Sequence, residues 1–411
     1  MRENETAPVT ENRGKSASIE VKSISRVALS GNDYRGVNLE LLCQQGNKVL
    51  AGAELMRDAR RPEVIFTAPA SGEVSRIERG ARRRLVSLQI ECEADEDSAR
   101  FALPDIQDKS ALRKFMLGSG AWASLRTRPF GNIPNPTAEP AAIFVTAIDN
   151  EPQAPLAAAI IDDFDAEFRA AVNTLAAITD APVYVCHTVG CPPPVDESAR
   201  VRCQAFTKTY TQGLPGTHIN ALCPIGFAGG EVWNIDYQET IALGYLLLHG
   251  RPWQHRILML AGNALTRPRC LRVPRGASVN QLLQGEIADD KAPKIFSGSV
   301  EYGRRIGLAD AFLNVGQKLL TVVDEASIDP PASGVDAVIP SEMFDSLVPP
   351  GIYAVPLMRA LQVGDVDRAR ELGALELVEE DLAMLSRANQ WRCDYGQLLR
   401  QVLGQLQGAT Q

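Results

Sequence analysis

The sequence predicts an α/β protein made of several domains. Its 411 residues correspond to about two to four domains of roughly 100–200 residues each. Short apolar segments separated by Gly and Pro fill residues 27–93, whereas strand-like segments alternate with helical periodicity from residue 108 onward. Apolar residues make up 45% and charged residues 22% of the chain, a globular composition that excludes the disordered and fibrous classes.

Residues 25–98 are predicted to form a small all-β domain, because short apolar segments at 49–52, 64–67 and 74–77 are punctuated by glycine and proline. Frequent turns between short strands favour a barrel or a sandwich. The preceding residues 1–24 are polar and lack the apolar segment of a secretory signal, so we expect a polar tail there.

Residues 108–253 are predicted to form a Rossmann-like α/β core. Ser110 can cap a first helix, and apolar residues recur every three or four positions in two later segments. The expected strands and helices lie at 141–148, 163–177, 182–186 and 236–248. Strands that alternate with helices in this way are typical of an α/β layer.

The remainder of the chain is predicted to contain a β-grasp domain at 254–326 and a helical domain at 350–411. A β-grasp is a small sheet that packs around one helix. The strand candidates lie at 257–260, 271–273, 294–297 and 319–323, and the helix candidate at 279–284. The helical domain contains an acidic stretch at 376–381.

Charge and cysteine content narrow the functional classes. The chain has 42 Lys and Arg against 50 Asp and Glu, so its formal net charge is −8 and nucleic-acid binding is disfavoured. No apolar run approaches the ~20 residues needed to cross a bilayer, so we expect no transmembrane segment. Eight cysteines without an export signal suggest free thiols in the reducing cytoplasm.

Two turns in the β-rich region, Gly46-Asn47-Lys48-Val49 and Ala68-Pro69-Ala70-Ser71-Gly72, resemble the repeated turns of biotinyl/lipoyl-type barrel-sandwich hybrid domains. A carrier domain of this type attaches its group to a lysine at the tip between the two turns. The expected tip, Arg57-Asp58-Ala59-Arg60-Arg61, has no lysine. We therefore predict the barrel-sandwich fold without a carried group.

The segment Gly118-Ser119-Gly120-Ala121-Trp122 resembles, in its place along the chain, the phosphate loop of the flavin-binding subunit of respiratory complex I. A phosphate cradle needs consecutive small residues, so that backbone N–H groups can converge on oxygen. Trp122 occupies a position that such a cradle needs to be small. We therefore predict a vestigial loop that binds no flavin.

Neither a metal site nor an iron–sulfur cluster is predicted. A cluster needs closely spaced cysteine ligands, and the C-terminal region contains Cys393 alone. The spacing of the remaining candidates fits no common zinc pattern, so scattered buried thiols are the better interpretation. These candidates are Cys186, His187, Cys191, Cys203, His218 and Cys223.

Two arginine-rich segments each allow two interpretations. Arg82-Arg83-Arg84 is favoured to be a solvated turn, and the alternative is a docking patch for an acidic partner or lipid headgroups. Residues 126–134 can form a clamp between domains. They can also hold a flat ligand with carbonyl oxygens, such as a quinone, by packing on Phe130 and hydrogen bonding to arginine.

As a whole, the chain resembles the A subunit of the sodium-translocating NADH:quinone reductase, a bacterial respiratory complex. The resemblance runs in order from about residue 25 to about residue 400, and its most specific motifs lie at 125–130 and 372–383. These motifs read Leu-Arg-Thr-Arg-Pro-Phe and Leu-Gly-Ala-Leu-Glu-Leu-Val-Glu-Glu-Asp-Leu-Ala. The chain is more distantly similar to the flavin subunit of complex I and the C subunit of the Rnf complex.

The resemblance implies a peripheral subunit on the cytoplasmic side of the bacterial inner membrane that docks on membrane subunits and scaffolds the complex. It implies no catalytic residue and no redox cofactor in this chain, with the flavins and an iron centre held by partner subunits. It also implies a contribution to the ubiquinone site, with Phe130 packing the ring and Arg126 or Arg128 polarising a carbonyl. The quinone-binding residues carried over are Tyr34, Gly36, Arg126, Arg128, Pro129, Phe130 and Pro134.

The chain also departs from that family. The stretch at 324–349 is several tens of residues shorter than expected, and residues 384–396 replace a Phe-Val-Cys-Pro-Gly-Lys-type segment. These departures leave an alternative: a divergent, non-catalytic adapter paralogue that binds a protein partner and no quinone.

Overall fold

The structure, a computed structural model, describes residues 19–34, 36–93, 97–149, 151–225, 230–288, 291–308, 311–327, 338, 340–389 and 392–410. The tail predicted at 1–24 lies outside the described residues up to position 18. The last part of that range differs from the prediction, because Glu20–Val21 forms a strand, β1.

The barrel-sandwich region pairs one β-sheet with another. Its strands are β2 (Arg26–Ser30), β3 (Leu39–Leu41), β4 (Lys48–Val49), β5 (Glu54–Asp58), β6 (Arg61–Thr67), β7 (Gly72–Arg79) and β8 (Leu85–Cys92). The sheet orders are β2-β8-β7-β4 and β3-β5-β6. Leu55, Val64, Val74 and Leu88 are fully buried, so the inner faces of both sheets supply the core.

The α/β core follows. Its elements are α1 (Lys109–Gly118), β9 (Arg126–Arg128), β10 (Ile143–Ala147), α2 (Ala157–Asp163), α3 (Asp165–Ala177), β11 (Val183–Thr188), β12 (Val201–Phe206), α4 (Pro215–Leu222), β13 (Val232–Asp236) and α5 (Tyr237–His249). The sheet order is β12-β11-β10-β13-β9, parallel except for the edge strand β9. Every residue of β10 is buried, as expected for a parallel strand covered on both faces.

Two details of this core differ from the sequence prediction. Helix α1 is capped by Asp108, whose carboxylate accepts the backbone N–H groups of Ser110 (2.8 Å) and Ala111 (3.1 Å), and not by Ser110 itself. The helix expected at 163–177 is interrupted at Phe164, which has non-helical dihedral angles. The ring of Phe164 meets Trp253 edge-on at 5.2 Å, so a tertiary contact accompanies the break.

The β-grasp region contains β14 (His255–Ala261), β15 (Arg269–Pro274), α6 (Val279–Leu283), β16 (Pro293–Ser297), β17 (Arg304–Ile306) and β18 (Leu319–Asp324). The sheet order is β1-β15-β14-β18-β16-β17. Strand β1 pairs in parallel with β15, and Lys22 beside it forms an ion pair of 2.5 Å with Glu286. The N-terminal segment therefore completes a sheet whose other strands come from a distant part of the chain.

The C-terminal region is helical, with α7 (Ala354–Val363), α8 (Val366–Glu371), α9 (Ala383–Ala388) and α10 (Tyr395–Thr410). Short 3₁₀ segments connect elements throughout the molecule: Gly31–Tyr34, Ala81–Arg83, Ala121–Ser124, Thr211–Gly213, Glu325–Ser327, Glu342–Leu347, Ala374–Glu376 and Glu379–Leu382. Phe344 and Val348 belong to the same apolar cluster as α7 and α10, so the packed helical unit starts before residue 350.

The predicted multi-domain α/β class is confirmed. The barrel-sandwich and α/β regions share one continuous apolar cluster that includes Val64, Leu112, Trp122 and Phe168. The helical region and most of the β-grasp have clusters of their own. The first two domains are therefore joined by packing, whereas the others need further contacts to fix their positions.

Close packing of α5 on α3 gives a prediction. A Cβ on Gly244 of α5 would lie 1.7 Å from the backbone oxygen of Glu167 of α3. We expect Gly244→Ala to lower the free energy of unfolding by about 1–3 kcal/mol, because overpacking forces the helices apart. Denaturant unfolding measures this effect. Gly404→Ala is the control, since Gly404 lies in α10 with nothing within 4 Å of its Cβ position, and it should be neutral or stabilising.

Candidate functional site

A cavity of about 140 Å³ lies where the barrel-sandwich, α/β and β-grasp regions meet. Its walls come from β2 and β6 of the first region, from the loop before β9 and helix α5 of the second, and from the segments before β14 and after β15 of the third. The lining side chains that matter for chemistry are Tyr34, Phe66, Arg126, Glu239, Trp253 and Arg275. An engineered apolar cavity of about 150 Å³ holds benzene, so this space suits a single six-membered ring.

Tyr34 supplies a hydroxyl to this cavity. It ends the 3₁₀ segment Gly31–Tyr34, it is 8% exposed, and its ring packs 4.5 Å from the ring of Phe66. Burial, and next the nearby Asp33 carboxylate, raise the pKa of Tyr34, so the phenol keeps its proton at neutral pH. Among the described residues the hydroxyl has no hydrogen-bond partner. It is therefore free to donate to a ligand.

Arg126 is the second polar group of the cavity. Its Nη1 donates to the backbone oxygens of Ala123 (2.6 Å) and Leu125 (2.8 Å), which fixes the guanidinium at the start of β9. Within the described part of the chain its Nε and Nη2 have no acceptor. Burial lowers the pKa of Arg126 from its ordinary value, but a guanidinium remains charged at neutral pH.

Glu239 and two arginines form a buried ion triad in the wall. The carboxylate of Glu239, in the first turn of α5, accepts hydrogen bonds from Arg256 and from Arg275, the latter at 2.7 and 2.8 Å. Burial alone would lower the pKa of Arg275, but Glu239 raises it above its ordinary value. Sequence reasoning missed this triad. Its only signal was the position of Glu239 directly after the family-like segment 234–238.

Arg128 lies outside the cavity, although it is two residues from Arg126. It is 2% exposed, and its Nη2 lies 3.2 Å from Glu380 and 3.8 Å from Asp381, both in the acidic stretch of the helical region. The next residues continue this contact. The backbone oxygen of Phe130 accepts from Arg400 at 2.7 Å, and the Phe130 ring packs on the helical cluster.

The two segments expected to be near a quinone do approach each other. A Cβ on Gly36 would lie 3.3 Å from Oδ1 of Asn132, so residues 34–36 and 131–134 are neighbours. The backbone oxygen of Pro134 accepts hydrogen bonds from Trp122 (3.0 Å) and Arg61 (3.3 Å). Of the predicted set, Tyr34 and Arg126 line the cavity, Gly36 and Pro134 flank it, and Arg128, Pro129 and Phe130 lie at the helical region.

The glycine-poor loop forms one edge of the cavity. Ser119, Gly120 and Ala121 line it, and a Cβ on Gly120 would lie 3.0 Å from Cγ2 of Thr67 in β6. Trp122 is fully buried and meets Trp233 edge-on at 5.3 Å. A large ring therefore fills the space behind this loop.

The carboxyl ends of β10 and β13 form the crevice where open α/β sheets commonly bind ligands. Here Asp149 accepts a hydrogen bond of 2.5 Å from the Tyr237 hydroxyl, and its other oxygen lies 2.8 Å from Nζ of Lys318. Burial alone would lower the pKa of Lys318, but Asp149 raises it. A lysine of the β-grasp region thus occupies this crevice.

The other candidate sites are dispersed or engaged. All eight cysteines, which the structure describes, are free thiols. Within the described ranges, no three His, Cys, Asp or Glu side chains are grouped to hold a metal ion. At the predicted carrier tip, Arg61 pairs with Asp58 at 2.8 Å and donates to the backbone of Ile133. No helix in the described part of the chain is long and apolar enough to cross a membrane.

Comparison with known proteins identifies the family. Domain profiles described as the NqrA N-terminal barrel-sandwich hybrid domain, the NqrA second alpha/beta domain and the NQRA C-terminal domain match residues 11–93, 107–252 and 257–307. The chain is 34% identical to the A subunit of the Na(+)-translocating NADH-quinone reductase of Pseudomonas aeruginosa UCBPP-PA14, over 94% of both chains. The chain belongs to the NqrA family. The predicted resemblance and the barrel-sandwich hybrid are thereby confirmed.

Two further NqrA relatives and one solved structure complete the comparison. The NqrA proteins of Neisseria meningitidis FAM18 and Saccharophagus degradans are each 34% identical, over 93% and 94% of both chains. A chain of an NAD+-reducing [NiFe]-hydrogenase is 12% identical with a TM-score of 0.46, covering 73% of this chain and 64% of that one. At that TM-score the structural similarity supports no conclusion about function.

The buried contact between Arg128 and Asp381 gives a pH-dependent prediction. Burial raises the pKa of Asp381 to about 7, although Arg128 acts to lower it. An aspartate in the unfolded chain ionises near pH ~4, so the folded protein holds an extra proton between these values. The stability contributed by this group therefore falls as the pH rises from about 4 to about 7.

We expect Asp381→Asn to remove this dependence. The melting temperature of the parent should fall relative to that of the variant as the pH rises through this window. Scanning calorimetry at closely spaced pH values measures the difference. Asp367→Asn, at an exposed position of α8, should follow the parent. A constant difference between Asp381→Asn and the parent at all pH values would contradict the prediction.

Proposed function

We propose that this chain serves as the A subunit of a Na+-translocating NADH-quinone reductase and binds the ring of ubiquinone in the cavity of Tyr34 and Arg126. The single observation that supports the quinone role is the pairing of two unengaged donors with a space for one ring. NADH, sodium and electron transfer are assigned to other subunits. The protein relatives that carry this name, at 34% identity over 94% of the chain, support the assignment to the complex.

The chemistry of a quinone fits these walls. A quinone is a flat ring with two carbonyl oxygens that accept hydrogen bonds. Phe66 and Trp253 offer aromatic surface, while Tyr34 and Arg126 offer an O–H and N–H groups. Reduction to the quinol adds two electrons and two protons, and it places negative charge on the carbonyl oxygens before the protons arrive. A buried guanidinium stabilises that charge.

We further propose that this chain holds no redox cofactor of its own and lies on the cytoplasmic face of the membrane, docked on the membrane subunits. The size of the cavity supports the first part, because ligand sites for larger molecules measure about 300–1,000 Å³. Trp122, behind the glycine-poor loop, and Lys318, in the sheet crevice, occupy the places where a flavin or nucleotide would otherwise bind.

The quinone role leads to a titration experiment. We expect Tyr34→Phe to weaken the binding of a short-chain ubiquinone by about 2–10-fold, because one hydrogen bond is lost while the ring remains. Arg126→Gln should weaken it by about 10–100-fold, since its bonds are to a charged donor. Isothermal titration of the purified full chain gives the affinities. Tyr353→Phe is the matched control, because Tyr353 is 66% exposed and does not line the cavity.

The outcome separates the two predicted quinone segments. Unchanged affinity in both cavity variants would refute the cavity as the quinone site. In that case, weaker binding by Phe130→Ala or Arg128→Ala would move the site to the junction with the helical region. Under the proposal, Phe130→Ala should instead lower the melting temperature, because its ring packs on that region.

Assembly and cofactor content are tested together. A tagged full chain expressed in its own host should co-purify with membrane subunits that oxidise NADH. The chain separated from them should show no visible absorption. Purification without any membrane subunit would favour the adapter alternative, and an absorption band of flavin would contradict the proposed absence of a cofactor.

A further inference from the structure

The hairpin that joins β7 and β8 ends in four arginines, which we call the arginine tip: Arg79, Arg82, Arg83 and Arg84. All four side chains belong to exposed residues. None of them pairs with a carboxylate in the part of the chain that the structure describes. The tip therefore concentrates positive charge on a chain whose formal net charge is −8.

The backbone of the tip is unusual for these residues. Arg82 and Arg83 have φ angles of 54° and 61°, in the left-handed region that glycine and asparagine occupy at lower cost. The conformation is held by a hydrogen bond of 2.8 Å from Gly80 N to Arg84 O, and another of 3.0 Å from Arg79 Nη1 to Arg83 O. Arginine thus stands where turn geometry alone favours smaller residues, which points to a use for its charge.

We propose that the arginine tip binds the anionic phospholipid headgroups of a membrane surface. Guanidinium groups pair with phosphate oxygens through two parallel N–H donors. A cluster of four basic residues reaches the size at which polybasic segments bind anionic lipids. The net negative charge of the remaining chain would repel the same surface. The tip would therefore fix which end of the molecule faces the bilayer.

The surroundings of the tip favour lipid over an acidic protein. Protein interfaces place arginine beside aromatic anchors in well-packed recesses. The tip segment 79–86 has no aromatic residue, and Val86 beside it, 39% exposed, is a small apolar side chain. A projecting turn of unpaired charges suits the diffuse negative field of a membrane better than a shaped protein partner.

The base of the hairpin adjoins the wall of the cavity. A Cβ on Gly31 would lie 1.9 Å from the backbone oxygen of Leu85, so β8 starts in contact with the 3₁₀ segment that ends at Tyr34. Docking by the tip would bring the cavity-bearing end of the molecule to the bilayer, where a lipid-soluble quinone is dissolved. This last step rests on the proposed function, whereas binding to lipid does not.

Vesicle sedimentation of the full chain tests the proposal. The vesicles contain either phosphatidylcholine alone or equal parts of phosphatidylcholine and phosphatidylglycerol, at low ionic strength. We expect the parent to bind only the second kind. Arg82→Gln, Arg83→Gln and Arg84→Gln combined should lower that binding by about 100-fold, at roughly fivefold per arginine. Added salt should weaken parent binding, because exposed charges are screened.

The control removes the same charge elsewhere. Arg304→Gln, Arg305→Gln and Arg359→Gln combined change three exposed arginines on β17 and α7 and should bind vesicles like the parent. Equal loss in both triple variants, or equal parent binding to both vesicles, would overturn the proposal. So would a tip variant that keeps vesicle binding but loses membrane subunits in detergent, since the partner would then be an acidic protein.

Ubiquinone titration of the tip variant separates this proposal from the proposed function. The titration contains no membrane, and the sedimentation contains no quinone. Loss of vesicle binding with unchanged quinone affinity and melting temperature supports the lipid role of the tip. Retained vesicle binding overturns that role, whatever the quinone affinity of the Tyr34 and Arg126 variants.

Discussion

The buried carboxylate of Glu239 is the constraint on which the geometry of the cavity depends. Asp236 caps helix α5 by accepting the N–H groups of Gln238 and Glu239, and this fixes the first turn. Glu239 then holds Arg256 and Arg275, which flank the first hairpin of the β-grasp region. Removing one member of such a buried group leaves uncompensated charge and typically costs about 3–5 kcal/mol. The α/β and β-grasp walls of the cavity are therefore locked together.

The same solution recurs where the helical region joins the α/β core. Arg128 reaches Glu380 and Asp381, and Arg400 pairs with Glu379 at 2.5 Å while donating to the backbone of Phe130. The acidic stretch is thus the complement of two arginines and not a solvated surface. Fixed arginine–carboxylate pairs define register between domains better than apolar contact does, because their geometry is directional. This accounts for a molecule whose domains keep separate apolar clusters.

Much of the fold could be predicted from local patterns. The apolar runs at 257–260, 271–273, 294–297 and 319–323 all lie within strands, because a strand buried on one or both faces marks itself in sequence. The break at Phe164 could not be predicted, since its partner Trp253 is distant along the chain. For the site, Tyr34 and Arg126 could be named from the family motifs. Glu239, Arg256 and Arg275 could not, because no local pattern distinguishes a buried ion group from surface charges.

The cavity and the glycine-poor loop suggest how one ancestral pocket can serve a smaller ligand. Trp122 and Trp233 fill the volume behind the loop, and the indole N–H of Trp122 is satisfied by Pro134 at 3.0 Å. The same Pro134 oxygen accepts from Arg61 of the barrel, so the filling also ties two domains together. What remains is about 140 Å³ with donors on one side and aromatic rings on another. A single polar ring fits that remainder, and the fused rings of a flavin do not, because ordered tryptophans cannot yield space without breaking the interface that they stabilise.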